Sequence, residues 1–122
     1  MDSDLLAELA AEACDDRKAK DIKLIKVDKV SSIADWLVIA GAQSEVQVRA
    51  IVKSVEDRLF SELNRSPLRK EGVNEAKWAL LDYGELIVHI LQTHERNFYD
   101  LESFWNNGMT KQFSLPTENI DK

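Results

Sequence analysis

Apolar positions along this chain recur with two periods, one helical and one of strands. Over residues 2–17, Leu5, Leu6, Leu9, Ala13 and Cys14 repeat at helical spacing. Asp2, Ser3 and Asp4 supply a cap and the acidic first turn that a helix dipole favours. Residues 22–27 are β-branched and half alternating, which predicts a strand. Residues 35–41 are apolar at consecutive positions in their centre, as an interior strand is. Ser44 and Gln47 then stand at capping-box spacing. Val48, Ile51, Val52, Val55, Leu59 and Leu63 make one stripe of a helix expected over residues 45–64, with Arg49, Lys53, Glu56 and Asp57 off the stripe. Arg65-Ser66-Pro67 should end it, because proline disfavours a helical residue before it. Residues 68–72 read as a short edge strand whose charges blunt stray pairing.

The strongest pattern follows. Residues 78–91 hold two apolar runs joined at Tyr83-Gly84, a hairpin in which Gly84 takes the positive φ of the turn. Alternation puts Trp78, Leu80 and Asp82 on one face and Ala79 and Leu81 on the other. The second arm is apolar on both parities and should be covered on both faces. Beyond it, Thr93 is expected to cap a short helical stretch and Asp100 to begin another, with Phe98, Leu101, Phe104 and Trp105 as the stripe that folds back on the sheet. From Asn106 the apolar pattern fades, so residues 106–122 are expected to be a flexible tail. The order predicts an α/β fold over residues 1–105: a single mixed sheet of about five strands with helices packed against it.

Charge narrows the function. The 122 residues carry 16 basic and 22 acidic side chains, a formal charge of −6. That balance argues against a primary nucleic-acid binder and suits a basic protein partner or plain solubility. Single Cys14 forms no internal disulfide and builds no multi-cysteine metal site, as in a reducing compartment. The acidic start resembles neither a signal peptide nor a transit peptide, and no apolar run reaches membrane-spanning length; a cytoplasmic location is expected, with no membrane partner.

Candidate chemistry is sparse. Four glycines build no phosphate loop, and no nucleophile elbow occurs. His89 lies inside an apolar strand and reads as a hydrogen-bonded structural histidine, His94 as a surface residue, and Cys14 as a small core residue. No cofactor or metal is expected. Asp82 and Glu85 flank the hairpin turn, where they stabilise it or meet a partner. Trp78 is either core or an outward-facing interface anchor.

Several pieces in order carry a resemblance: Asp16-Arg17-Lys18-Ala19; Ile33-Ala34-Asp35-Trp36-Leu37-Val38-Ile39-Ala40; Ser44 with Gln47-Val48-Arg49-Ala50-Ile51; and Glu71-Gly72. The most specific are Trp78-Ala79-Leu80-Leu81-Asp82-Tyr83-Gly84-Glu85 and, beyond Ile87-Val88-His89, Arg96-Asn97-Phe98-Tyr99-Asp100-Leu101-Glu102 with Trp105. Together they resemble the ribosomal silencing factor family, the Iojap-related proteins; Trp36 stands where tyrosine is common in that family. The resemblance implies a nucleotidyltransferase-like topology without enzymatic function. It implies binding to the large ribosomal subunit through its fourteenth protein, with little direct nucleic-acid contact. A factor bound there occludes the surface that meets the small subunit and represses translation. Carried onto this chain, the partner-binding residues are Trp78, Leu80, Asp82 and Tyr83, with Lys70, Glu71 and Arg49 as neighbours; Trp78 and Tyr83 supply apolar anchoring and Asp82 a charge-assisted bond. The family also allows a homodimer. Two alternatives stand beside this reading: a large-subunit maturation factor using the same surface, and a transferase, for which Gly41-Ala42-Gln43 lacks the paired carboxylates on a following strand that would hold metal ions.

Overall fold

Seven consecutive buried residues, Trp36–Ala42, form the strand about which the sheet is laid. The computed structural model describes residues 3–27 and 34–94, with the backbone of 109–112. In chain order these residues build α1 (Ser3–Asp16), β1 (Lys20–Lys26), β2 (Trp36–Ala42), α2 (Glu45–Leu63), β3 (Arg69–Glu71), β4 (Trp78–Asp82), β5 (Leu86–Gln92) and β6 (Met109–Gln112). The strands lie in the order β3-β4-β5-β2-β1-β6. β2 and β5 run parallel, from Trp36 beside Leu86 to Ala42 beside Gln92. The remaining pairs are antiparallel. The fold is thus α/β with one mixed sheet.

Both helices pack on one face. Leu6, Ala10 and Cys14 of α1 and Val48, Ile51, Val55 and Leu59 of α2 meet Val38 and Ala40 of β2, Leu81 of β4 and Val88 and Ile90 of β5. Residues of the other parity, Ile25, Leu37, Ile39 and Leu91, make a second buried cluster on the opposite face, with Ile87 against it. This explains why β2 and β5 read as continuous apolar runs: each carries a core residue on both sides.

Polar contacts lock the helix layer. Ser44 Oγ accepts the Gln47 backbone N–H at 3.1 Å, as the capping spacing predicts. The return bond differs: Gln47 Oε1 accepts the N–H of Gln43 at 2.7 Å, one residue before the cap. Gln47 Nε2 also donates to the carbonyls of Arg17 and Lys18 at 3.0 and 3.1 Å, tying the start of α2 to the end of α1. Ser54 Oγ donates to the Ala13 carbonyl at 2.8 Å, and Arg58 bridges Glu12 at 2.8 Å and Asp16 at 2.7 Å. Trp36 Nε1 donates to Asp4 Oδ1 at 2.7 Å, pinning the first turn of α1 to β2. α2 ends at Asn64, in the left-handed region with φ 56°, before Pro67 can act.

One expectation is corrected. Met109–Gln112, assigned from sequence to a flexible tail, form β6 on the free side of β1, with Lys23 beside Gln112 and Lys26 beside Met109. An edge strand is held by backbone pairing and needs no apolar stripe, so the fading pattern gave no sign of it. The short helices expected after Thr93, with the Phe98 and Trp105 stripe, and the rest of residues 106–122 lie outside the described residues.

Candidate functional site

The candidate surface begins with the turn that joins β4 to β5. Gly84 sits at φ +94°, where a side chain is strained. Tyr83 N–H donates to the Leu86 carbonyl at 2.8 Å, and Asp82 Oδ1 accepts the Gly84 N–H at 2.8 Å. Arg65 holds the turn from outside. Its guanidinium donates to both Glu85 carboxylate oxygens at 3.1 and 2.8 Å and to the Tyr83 carbonyl at 2.7 Å. The Arg65 hydrogen bonds hold the Glu85 carboxyl below its usual range.

Strand parity then sorts the side chains. Ala79 and Leu81 enter the helix-side core, while Trp78, Leu80 and Asp82 take the opposite face. β3 adds its own pair: Arg69 lies beside Asp82 and Glu71 beside Leu80, so both share that face. Arg69 Nη1 stands 2.6 Å from Glu71 Oε2, and Nη2 stands 3.6 Å from Asp82 Oδ2. Trp78 is 37% exposed. Its indole N–H donates to His89 Nδ1 at 2.8 Å across the β4–β5 pair, with the two rings tilted and 5.7 Å apart. Nδ1 accepts that bond, so the proton of the neutral ring sits on Nε2. Burial holds His89 neutral and pushes its pKa down to about 4.

Beside Trp78 a cavity of about 330 Å³ is lined by Glu71, Gly72, Trp78 and Leu80. Gly72 is required there. It sits at φ +75°, and a Cβ at this position would lie 2.1 Å from the Trp78 carbonyl oxygen. The bare backbone lets the end of β3 approach the start of β4 and shapes the cavity wall.

Of the seven residues placed at the surface from sequence, Trp78, Leu80, Asp82 and Glu71 come together. Three do not. Tyr83 is fully buried in the helix-side core, so its assignment as a surface anchor is corrected: it follows Ala79 and Leu81 in parity. Its hydroxyl finds no hydrogen-bond partner among the described residues, and burial raises its pKa. Lys70 points to the helix side, where it pairs with Glu56 of α2 at 3.0 Å. Arg49 belongs to the helix layer; it donates to the Asn74 carbonyl at 2.5 Å and pairs with Glu45 at 3.6 Å. Sequence reasoning missed Arg69, His89 and Gly72 as members of this surface. The signals were present: Arg69 is two residues from Glu71, and counting outward from the hairpin turn sets His89 opposite Leu80.

Elsewhere the chemistry is quiet. Cys14 is buried, and desolvation with Asp15 nearby pushes its thiol up to about 12. Among the described residues no group of three or more His, Cys, Asp or Glu gathers to hold a metal ion, and no helix is long and apolar enough to cross a membrane.

The family described as ribosomal silencing factor during starvation matches residues 1–122. A Bacillus subtilis (strain 168) protein named ribosomal silencing factor RsfS is 35% identical over 109 residues, covering 88% of this chain and 91% of its own. The chloroplastic protein Iojap of Arabidopsis thaliana is 33% identical over 108 residues, covering 88% of this chain and 44% of the plant protein. A crystal structure of a Chromobacterium violaceum protein superposes with a TM-score of 0.81 at 31% identity, covering 94% of each chain. With the family match over residues 1–122, relatives at 33–35% identity and a superposable fold, the chain belongs to the ribosomal silencing factor family.

Proposed function

We propose that this protein binds the large ribosomal subunit through the subunit's fourteenth protein and, by occupying that surface, blocks joining with the small subunit and lowers translation. It works in the cytoplasm as a binder and not as a catalyst. The observation that carries this reading is Trp78: a large aromatic side chain, 37% exposed at the start of β4, on a cavity that the Glu71 carboxylate also lines, with Asp82 at the far end of the same strand face. Half-exposed aromatics in such settings are frequent interface anchors. Glu71 and Asp82 suit a basic partner, and the net charge of −6 favours its approach. Mechanistically the effect is steric, because two large bodies cannot share one surface.

Sedimentation of purified subunits tests it. The wild-type protein should travel with the large subunit and reduce the joined peak. Trp78→Ala should weaken that association roughly thirtyfold, the scale of an aromatic interface anchor. Association that leaves joining unaffected would overturn occlusion and support action on maturing subunits. Normal binding by Trp78→Ala would show that another surface is used.

A further inference from the structure

We propose that Arg69 is an internal stand-in for a basic side chain of the partner, and that it sets how tightly this surface binds. The inference rests on the surface assigned above. Arg69 lies on the two carboxylates that face the cavity side of the sheet, 2.6 Å from Glu71 and 3.6 Å from Asp82. Asp82 is already oriented, because its other oxygen accepts the Gly84 N–H. Trp78 has spent its one donor on His89, so it offers an incoming group the face of its ring. An aromatic face that shares a cavity with the Glu71 carboxylate recognises a cation, and a Lys or Arg stem fits against Leu80 towards Asp82.

Exchange of one cation for another costs little here. The Arg69 and Glu71 side chains are 58% and 56% exposed, a setting in which ion pairs contribute little stability. A partner's Lys or Arg therefore competes with Arg69 for charges the protein already holds. Removing Arg69 frees the Glu71 carboxylate and Asp82 Oδ2 for the partner and makes the surface more negative.

The test is calorimetric titration of the free ribosomal protein partner against folded wild-type, Arg69→Gln, Glu71→Gln, the double variant and Trp78→Ala, each at low and high salt. Arg69→Gln should bind about two- to fivefold more tightly, with a steeper loss of affinity as salt rises. In the Glu71→Gln background that gain should fall by at least half. Equal or weaker binding by Arg69→Gln overturns the inference, as does a gain that Glu71→Gln leaves intact; in either case a Trp78→Ala loss still stands for the surface. If Trp78→Ala binds as the wild type does, the surface assignment and the role of Arg69 fall together.

Discussion

His89 carries a pH-dependent cost at a single residue. Its ring must stay neutral to accept the Trp78 indole, and burial lowers its pKa from 6.5 to about 4. Above pH 6.5 the ring is neutral in both folded and unfolded chains, and its contribution to stability is fully present. As pH falls from 6.5 towards 4 only the unfolded chain takes up the proton, so that contribution is lost, by up to about 3 kcal/mol. Urea unfolding between pH 7.5 and 4 should show this loss in the wild type. His89→Gln should show a shallower one; parallel curves would mean the ring is not what responds. At this scale sequence was informative where parity was followed and misleading where it was dropped. Alternation placed Trp78, Leu80 and Asp82 together, and the same rule continued by one step buries Tyr83. Treating Tyr83 as a turn residue concealed that. The bond from Trp78 to His89 was hidden by the same step, since the register that brings the two together follows from a turn at Gly84-Glu85 and not at Tyr83-Gly84.

Among the elements, the ones with an apolar stripe or run were readable. α2 shows its stripe, β2 its continuous burial, and the β4–β5 hairpin its turn glycine. β6, whose backbone pairs with β1, was invisible, and so was the Arg65 clamp. Arg65 read as part of a helix stop, yet it spans 20 residues to fasten the hairpin turn. Both partners of this ion pair are about three-quarters buried, which raises its worth above that of an exposed pair. Arg65→Ala should destabilise the fold by about 2 kcal/mol in urea unfolding at pH 7. The sign with pH is opposite to that of a raised pKa: the Glu85 carboxyl is lowered in the fold, so the clamp is fully formed above the ordinary carboxylate value of 4.5 and is lost as pH falls below it. The difference between variant and wild type should therefore shrink at pH 3. A difference that persists undiminished would assign the effect to the Tyr83 carbonyl bond instead.

For the whole molecule, Cys14 offers a reporter of opening. The thiol is buried between the helices and the sheet and its pKa is about 12, so reagent reaches it only when that core comes apart. Labelling of the native protein should be about a thousandfold slower than in urea, and should accelerate in step with unfolding seen by fluorescence. Rapid labelling of the native chain would mean that α1 detaches on its own. The parallel pairing of β2 with β5 bears on how the fold is reached. Trp36 lies beside Leu86, so the central pair closes a loop of about 50 residues holding α2, β3 and β4. Such a distant pairing is slow to form, and until it does β2, the most apolar strand, keeps an open edge. Growth from the N-terminus makes α1, β1, β2 and α2 before β5 exists to complete them. The hairpin that bears the proposed binding surface is thus also the piece that ends the chain's most aggregation-prone interval, and a variant that slows its formation lowers yield before it lowers affinity.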